Sequence, residues 1–249
     1  MLRVRPIHHT SRLDQWERLL AALGLIKTLD DGGWLEFDAG SGRLALHHAT
    51  AGAGEDGTTN FGVEVGDLEE FARRTNLAGA ESGNAPAELI DADHGDSCRV
   101  TGRDCFSFLA DRAAHGARGG DADPALAVVE VWFTPDAAAA AQTLRSIGAR
   151  FRPVADNDET ADFTAKNGGV LMVRTGSGPA RAGLGFEYDG DLGALRDRLT
   201  SAGHQVSMTE AAYGHSLHVA NPDAAAGSAA PGSHVPPTLW ISQPAPLGS

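Results

Sequence analysis

Histidine carries most of the chemistry this chain could do, because imidazole moves protons near neutral pH and ligates metal ions. The ten histidines include two doublets, His8-His9 and His47-His48. Neighbouring side chains on a strand point to opposite faces, so each doublet sends one ring inward whatever its role. The plain reading of such a pair is therefore a polar strand end. His215 and His218 are three residues apart, which puts them on opposite faces of a strand and keeps them from sharing an ion unless the strand is bulged. The two cysteines, Cys98 and Cys105, flank Gly102 without the CxxC spacing of a thiolate zinc site. They read as ordinary buried thiols, with a disulfide as the less favoured pairing in a cytosolic chain. No GxSxG elbow, phosphate-cradling glycine loop or HExxH helix occurs.

The elements that must position these residues repeat. Helix ends rich in Leu and Ala close on Gly24, Gly148 and Gly203, with a weaker copy at Gly79, about 55 to 70 residues apart. Such a period is the mark of a repeated supersecondary unit. Each unit reads as a strand, a helix and three short strands. In the first, Leu13, Trp16, Leu19, Leu20 and Leu23 form one apolar helix face, with Thr10 or Ser11 as its cap. In the second, Asp67 caps a helix whose inward residues are Leu68, Phe71 and Leu77. In the third, Thr134-Pro135 opens an alanine-rich helix, and Asn167-Gly168-Gly169 makes a tight hairpin turn. In the fourth, Asp191 caps a helix over 192–202. The units fall at 1–57, 58–112, 125–178 and 179–249, with an Ala, Gly, Asp and Arg-rich linker at 113–124. The stretch 221–237 is too long for a hairpin turn and reads as a disordered bulge.

A formal net charge of −13 argues against nucleic acid or an anionic membrane as partner, since both need a basic footprint. No apolar run is long enough to span a bilayer, and 1–6 lack the apolar core of a signal peptide, so the expectation is a cytoplasmic protein, monomer or homodimer.

The order of elements, with Arg5-Pro6-Ile7-His8-His9 leading to Leu23-Gly24-Leu25, then Gly33-Trp34-Leu35-Glu36-Phe37 and Leu44-Ala45-Leu46-His47, resembles the vicinal oxygen chelate superfamily. That superfamily includes glyoxalase I, extradiol dioxygenases, fosfomycin resistance enzymes and bleomycin-binding proteins. The run from Tyr213 to Asp223 followed by Leu239-Trp240-Ile241 is similar to its closing hairpin, with Ala224 where a glycine is usual. The resemblance implies an α+β fold: four βαβββ units forming two glyoxalase-like domains, each a curled mixed sheet around a cavity, with units one and two paired and units three and four paired.

The resemblance also implies a divalent metal held by His, Glu or Gln from first and last strands of a unit. Those positions here are Val4, Ala45, Asn60, Val128 or Val129, and the stretch Gly183 to Gly185, with Gln243 ending the last strand. Valine, alanine and glycine cannot ligate. His8 and His47, near the vacant positions, are the candidates for a displaced metal site; otherwise no cofactor is expected. Inward-facing aromatic residues Trp34, Trp132, Phe163 and Trp240 would instead line the cavities and offer rigid faces to a planar ligand. The first expectation is thus a binder of a small hydrophobic or aromatic molecule without metal chemistry. The alternative is a divalent-metal-dependent lyase, isomerase or dioxygenase using the His8 and His47 site.

Overall fold

A computed structural model describes residues 1–82, 86–113, 120–153, 160–211, 214–224 and 235–244. Residues 114–119 of the linker 113–124 and 225–234 of the long stretch 221–237 lie outside them. The chain is α+β and carries the βαβββ unit four times.

The first unit runs β1 (Leu2–Val4), β2 (Ile7–Thr10), α1 (Leu13–Leu23), β3 (Ile26–Asp31), β4 (Trp34–Asp38) and β5 (Arg43–His48). The second runs β6 (Thr59–Asn60), β7 (Gly62–Val65), α2 (Leu68–Ser82), β8 (Ala87–Ala92), β9 (Gly95–Thr101) and β10 (Ser107–Arg112). Their opening strands are split. Pro6 has no N–H to give to a ladder, so β1 pairs with β7 and β2 with β6, making two five-stranded sheets, β1-β7-β10-β9-β8 and β3-β4-β5-β2-β6.

The third unit is β11 (Leu126–Thr134), α3 (Ala137–Ser146), β12 (Arg150–Arg152), β13 (Thr160–Thr164) and β14 (Val170–Thr175). The fourth is β15 (Arg181–Tyr188), α4 (Leu192–Ser201), β16 (Val206–Ala211), β17 (Gly214–Ala220) and β18 (Thr238–Ser242). Here β11 and β15 are unbroken and pair antiparallel over their length, so both units share one eight-stranded mixed sheet, β12-β13-β14-β11-β15-β18-β17-β16.

The helices cover one face of these sheets and pack across the molecule, α1 on α4 and α2 on α3. One continuous apolar core results, including Val4, Trp16, Val63, Phe108, Trp132, Phe163 and Phe186. A tight contact joins Val4 to the hairpin turn before β14: a Cβ on Gly169 would collide with Val4, and the backbone there is left-handed at φ +91°. Glycine alone meets both demands.

Local differences from the sequence pattern have simple causes. Gly24, Gly148 and Gly203 end or follow their helices with positive φ, but Gly79 sits inside α2, which runs on to Ser82. Glycine costs a helix interior about 1 kcal/mol relative to alanine, too little to stop it. Leu77 is 59% exposed rather than part of the core. The N-cap of α1 is Arg12 without a side-chain cap bond, while Thr10 and Ser11 serve elsewhere, Ser11 bonding the buried Asp56 through N–H and hydroxyl at 2.7 and 3.0 Å. Pro135 precedes α3, whose cap is Asp136. Asp67 accepts from the Glu70 amide, and Asp191 caps α4 as expected. Among the described residues no helix is long and apolar enough to cross a membrane.

Candidate functional site

Strand alternation decides what each sheet turns away from the helices. In the N-terminal half, Leu2, Val4, Val63 and Val65 face the core, so Arg3 and Glu64 between them face the other way. Arg5, Glu36, Asp38, Arg43 and Asp111 join them. Arg43 is fully buried, its Nε 2.6 Å from Asp38 and its Nη1 2.8 Å from Glu36 and 3.3 Å from Glu64. Arg3 pairs with Glu64, and Arg5 with Asp111, whose other oxygen accepts from Ser97 at 2.6 Å. Desolvation opposes the charge on Arg43, but the bond to Asp38 and the nearby Glu64 and Glu36 charges raise its pKa overall. Three arginines and four carboxylates therefore fill this face with an ionic lattice rather than leave it open.

The helix-free face of the eight-stranded sheet differs. Val129 and Val131 on β11, Val170 and Met172 on β14, and Trp240 on β18 form a separate apolar cluster. A cavity of about 310 Å³ opens there, lined by Val131, Phe133, Met172, Arg174, Trp240 and Ser242. The charges lie to one side. Arg152 holds Glu187 with two bonds of 2.8 and 2.5 Å, and Asp162 bridges Arg152 and Arg174 at 3.3 and 2.5 Å.

A second recess, about 330 Å³, lies where β2 and β6 meet the start of β15. His8, Thr59, Asn60, Phe106, Arg181 and Leu239 line it, with others. The His8 ring packs on Trp16 at 4.3 Å. Behind it the carboxylate of Asp223 accepts from Trp16 Nε1 at 2.7 Å and from the Thr10 hydroxyl at 2.5 Å. Burial works against this carboxylate's charge, yet hydrogen bonds from His8, Thr10 and Trp16 keep its pKa below the ordinary range.

The molecule is similar to solved structures of ring-cleaving dioxygenases. Homoprotocatechuate 2,3-dioxygenase from Arthrobacter globiformis matches with a TM-score of 0.61 and 16% identity, over 97% of this chain and 78% of that one. The 2,3-dioxygenase LapB from Pseudomonas sp. KL28 matches at 0.59 and 12%, over 99% and 92%. BphC, a halotolerant catechol dioxygenase, matches at 0.58 and 12%, over 97% and 84%. This is the two-domain vicinal oxygen chelate fold. At these identities the likeness is one of fold. No protein-family model matches the chain, and no curated protein matches it.

A vicinal oxygen chelate fold raises the question of a metal, and the donor set answers it residue by residue. Among the described residues no three His, Cys, Asp or Glu side chains converge to hold an ion. Val4 and Ala45 are buried and apolar. Glu130 turns into the core, where it accepts from the Gly62 amide at 2.7 Å. Glu187 is locked to Arg152, and the carboxylates of the N-terminal face are locked to three arginines. A guanidinium already paired with a carboxylate competes with any cation for it. These residues do not fit a divalent metal.

His8 and His47 are not brought together. Across the β2–β5 ladder His8 lies opposite Leu46 and His9 opposite His47, so the two rings fall on opposite faces. His8 is buried against Trp16, while His47 is exposed beside Trp34 and His9. The vicinal oxygen chelate fold also scatters the four aromatic candidates. Trp132 is fully buried among Phe61, Phe106 and Phe108 with its Nε1 on Asp104, and Phe163 is fully buried beneath Arg145, so both are core. Trp34 sits under Arg5 at the edge of the ionic face. Trp240 lines the 310 Å³ cavity. Sequence reasoning missed the arginines, because nothing local marks Arg3, Arg5 and Arg43 as partners of Glu64, Asp111 and Asp38. Their alternation with apolar residues was the available signal.

Proposed function

We propose that this protein binds a small hydrophobic or aromatic molecule on the helix-free face of its C-terminal sheet, without metal chemistry. The observation that carries this reading is the lining of the 310 Å³ cavity, which holds Val131, Met172, Phe133 and Trp240 and neither imidazole nor carboxylate, the groups a metal enzyme needs. An indole face and a thioether beside a planar ring add stacking and sulfur contacts, each about 0.5–1.5 kcal/mol beyond burial. Arg174 and Ser242 at the same cavity supply polar groups for orientation. The test is titration of indole fluorescence with catechol and larger planar phenols, in the presence of a chelator. Saturable quenching that disappears in Trp240→Ala supports the proposal; quenching that needs added divalent ion, or is unchanged in Trp240→Ala, overturns it.

The structural comparisons favour a second reading, a divalent-metal-dependent dioxygenase, because the similar proteins are catechol and homoprotocatechuate dioxygenases over nearly the whole chain. One fold hosts many chemistries, and the site decides among them. Elemental analysis of protein purified without chelator distinguishes the two: a stoichiometric divalent ion together with consumption of catechol establishes the dioxygenase reading, and neither is expected from the residues present.

A further inference from the structure

The recess at β2, β6 and β15 holds an arrangement unrelated to either helix-free face. His8 Nε2 lies 2.7 Å from the Asp223 carboxylate, and His8 Nδ1 lies 3.0 Å from the Thr59 hydroxyl. A carboxylate only accepts, so Nε2 carries a proton, and in the neutral ring Nδ1 is then the lone pair that accepts from the Thr59 O–H. The tautomer of the neutral ring is thus set by Asp223, itself braced by Thr10, Trp16 and the short 3-10 turn Pro222–Ala224 that carries it. The imidazole cannot turn away, because it is buried on Trp16. Thr59 and His8 both line the recess, whose other walls include Phe106, Leu184 and Leu239. A hydroxyl on an oriented base, and that base on a buried carboxylate, is the geometry of an activated nucleophile.

We propose that Thr59, His8 and Asp223 form a nucleophilic site that cleaves small carboxylic esters with an apolar acyl group. Thr59 Oγ1 attacks the acyl carbon as its proton passes to His8 Nδ1. The C–O bond to the leaving alcohol breaks, and the imidazolium returns the proton to that oxygen. Water then attacks the acyl-threonine with His8 again as base, and releases the acid. Ester and water become acid and alcohol, and no oxidant or metal takes part. Thr59 and His8 are the catalytic residues; Asp223 is a positioning residue. The apolar walls favour a short acyl chain over a charged one.

The test is incubation with p-nitrophenyl acetate and butyrate, following p-nitrophenolate release and mapping the acyl adduct by peptide mass spectrometry. The expected result is a single adduct on Thr59 and hydrolysis that Thr59→Ala and His8→Gln each lower by roughly 100-fold or more, the general-base contribution. His8→Gln keeps an N–H for Asp223 while removing the base. Thr59→Ser keeps the hydroxyl and retains turnover. Thr59 is only half-buried, and circular dichroism of each variant checks that it folds. No adduct on the wild-type chain, an adduct on lysine or histidine instead, or hydrolysis unchanged in Thr59→Ala overturns the proposal.

Discussion

Trp240 on β18 lies across Gly185 on the neighbouring strand β15, in the space that any side chain at 185 would need. The glycine is what lets the indole lie down on the sheet and wall the cavity. Gly185→Ala forces the ring off the strand or the strand apart. We expect a loss of about 1–3 kcal/mol in stability, the usual range for overpacking, and at least tenfold weaker binding of planar phenols. Chemical denaturation and fluorescence titration measure the two effects separately.

Arg43 is the hub of the N-terminal ionic face, touching Asp38, Glu36 and Glu64 while itself fully buried. Arg43→Ala leaves three carboxylates clustered and desolvated. Removal of one member of a buried ion pair costs about 3–5 kcal/mol, and urea denaturation should show a loss in that range. Arg73→Ala is the control: its pair with Glu70 is exposed on α2, and little change is expected.

Stability should fall on both sides of a pH maximum, for opposite reasons. Burial lifts the Glu130 carboxyl well above its ordinary value, against the Gly62 amide bond and the Arg5 charge. The folded chain then holds a proton that the unfolded chain releases, so stability is lost as pH rises from the ordinary carboxylate range to the raised value, at up to about 1.4 kcal/mol per pH unit. Glu130→Gln, which keeps an oxygen for the Gly62 amide, removes that slope in pH-dependent urea unfolding. Asp111 behaves in the other sense. Burial alone would raise its pKa, but the Arg5 charge and the bonds from Ser97 and His94 lower it. Its contribution is present above the unfolded value and is lost as pH falls through the folded one. Asp111→Asn should flatten the acid limb.

Trp132 and Trp34 should separate structure from binding. Trp132→Ala empties a site packed by three phenylalanines and should cost about 3–5 kcal/mol. Trp34→Ala, at a half-exposed strand end, should cost about 1 kcal/mol or less. Neither should change ligand affinity in protein that remains folded, because neither lines the cavity.

The two cysteines should differ in reactivity. Cys98 is buried, and desolvation pushes its thiol up to about 11, with the Glu88 backbone pulling back. Cys105 is exposed. Since the thiolate is the nucleophile, a thiol-reactive disulfide reagent should label Cys105 in the native protein and reach Cys98 only after unfolding.

The sequence alone determined the repeat, because helix faces at i, i+3 and i+4, capping residues and glycine stops are local signals that survive without a partner. It determined which types occupy the metal positions, and Val4, Ala45 and Gly185 exclude ligation wherever they lie. It could not determine direction. His8 and His47 read as one site until the β2–β5 register put them on opposite faces. The four aromatic residues read alike until packing made Trp132 and Phe163 core and left Trp240 in a cavity. Asp223 stood in a turn, 215 residues from its partner His8. Strand register, and the burial of one half of the chain on the other, are sums over many distant contacts; only tertiary structure brings such residues within hydrogen-bonding reach.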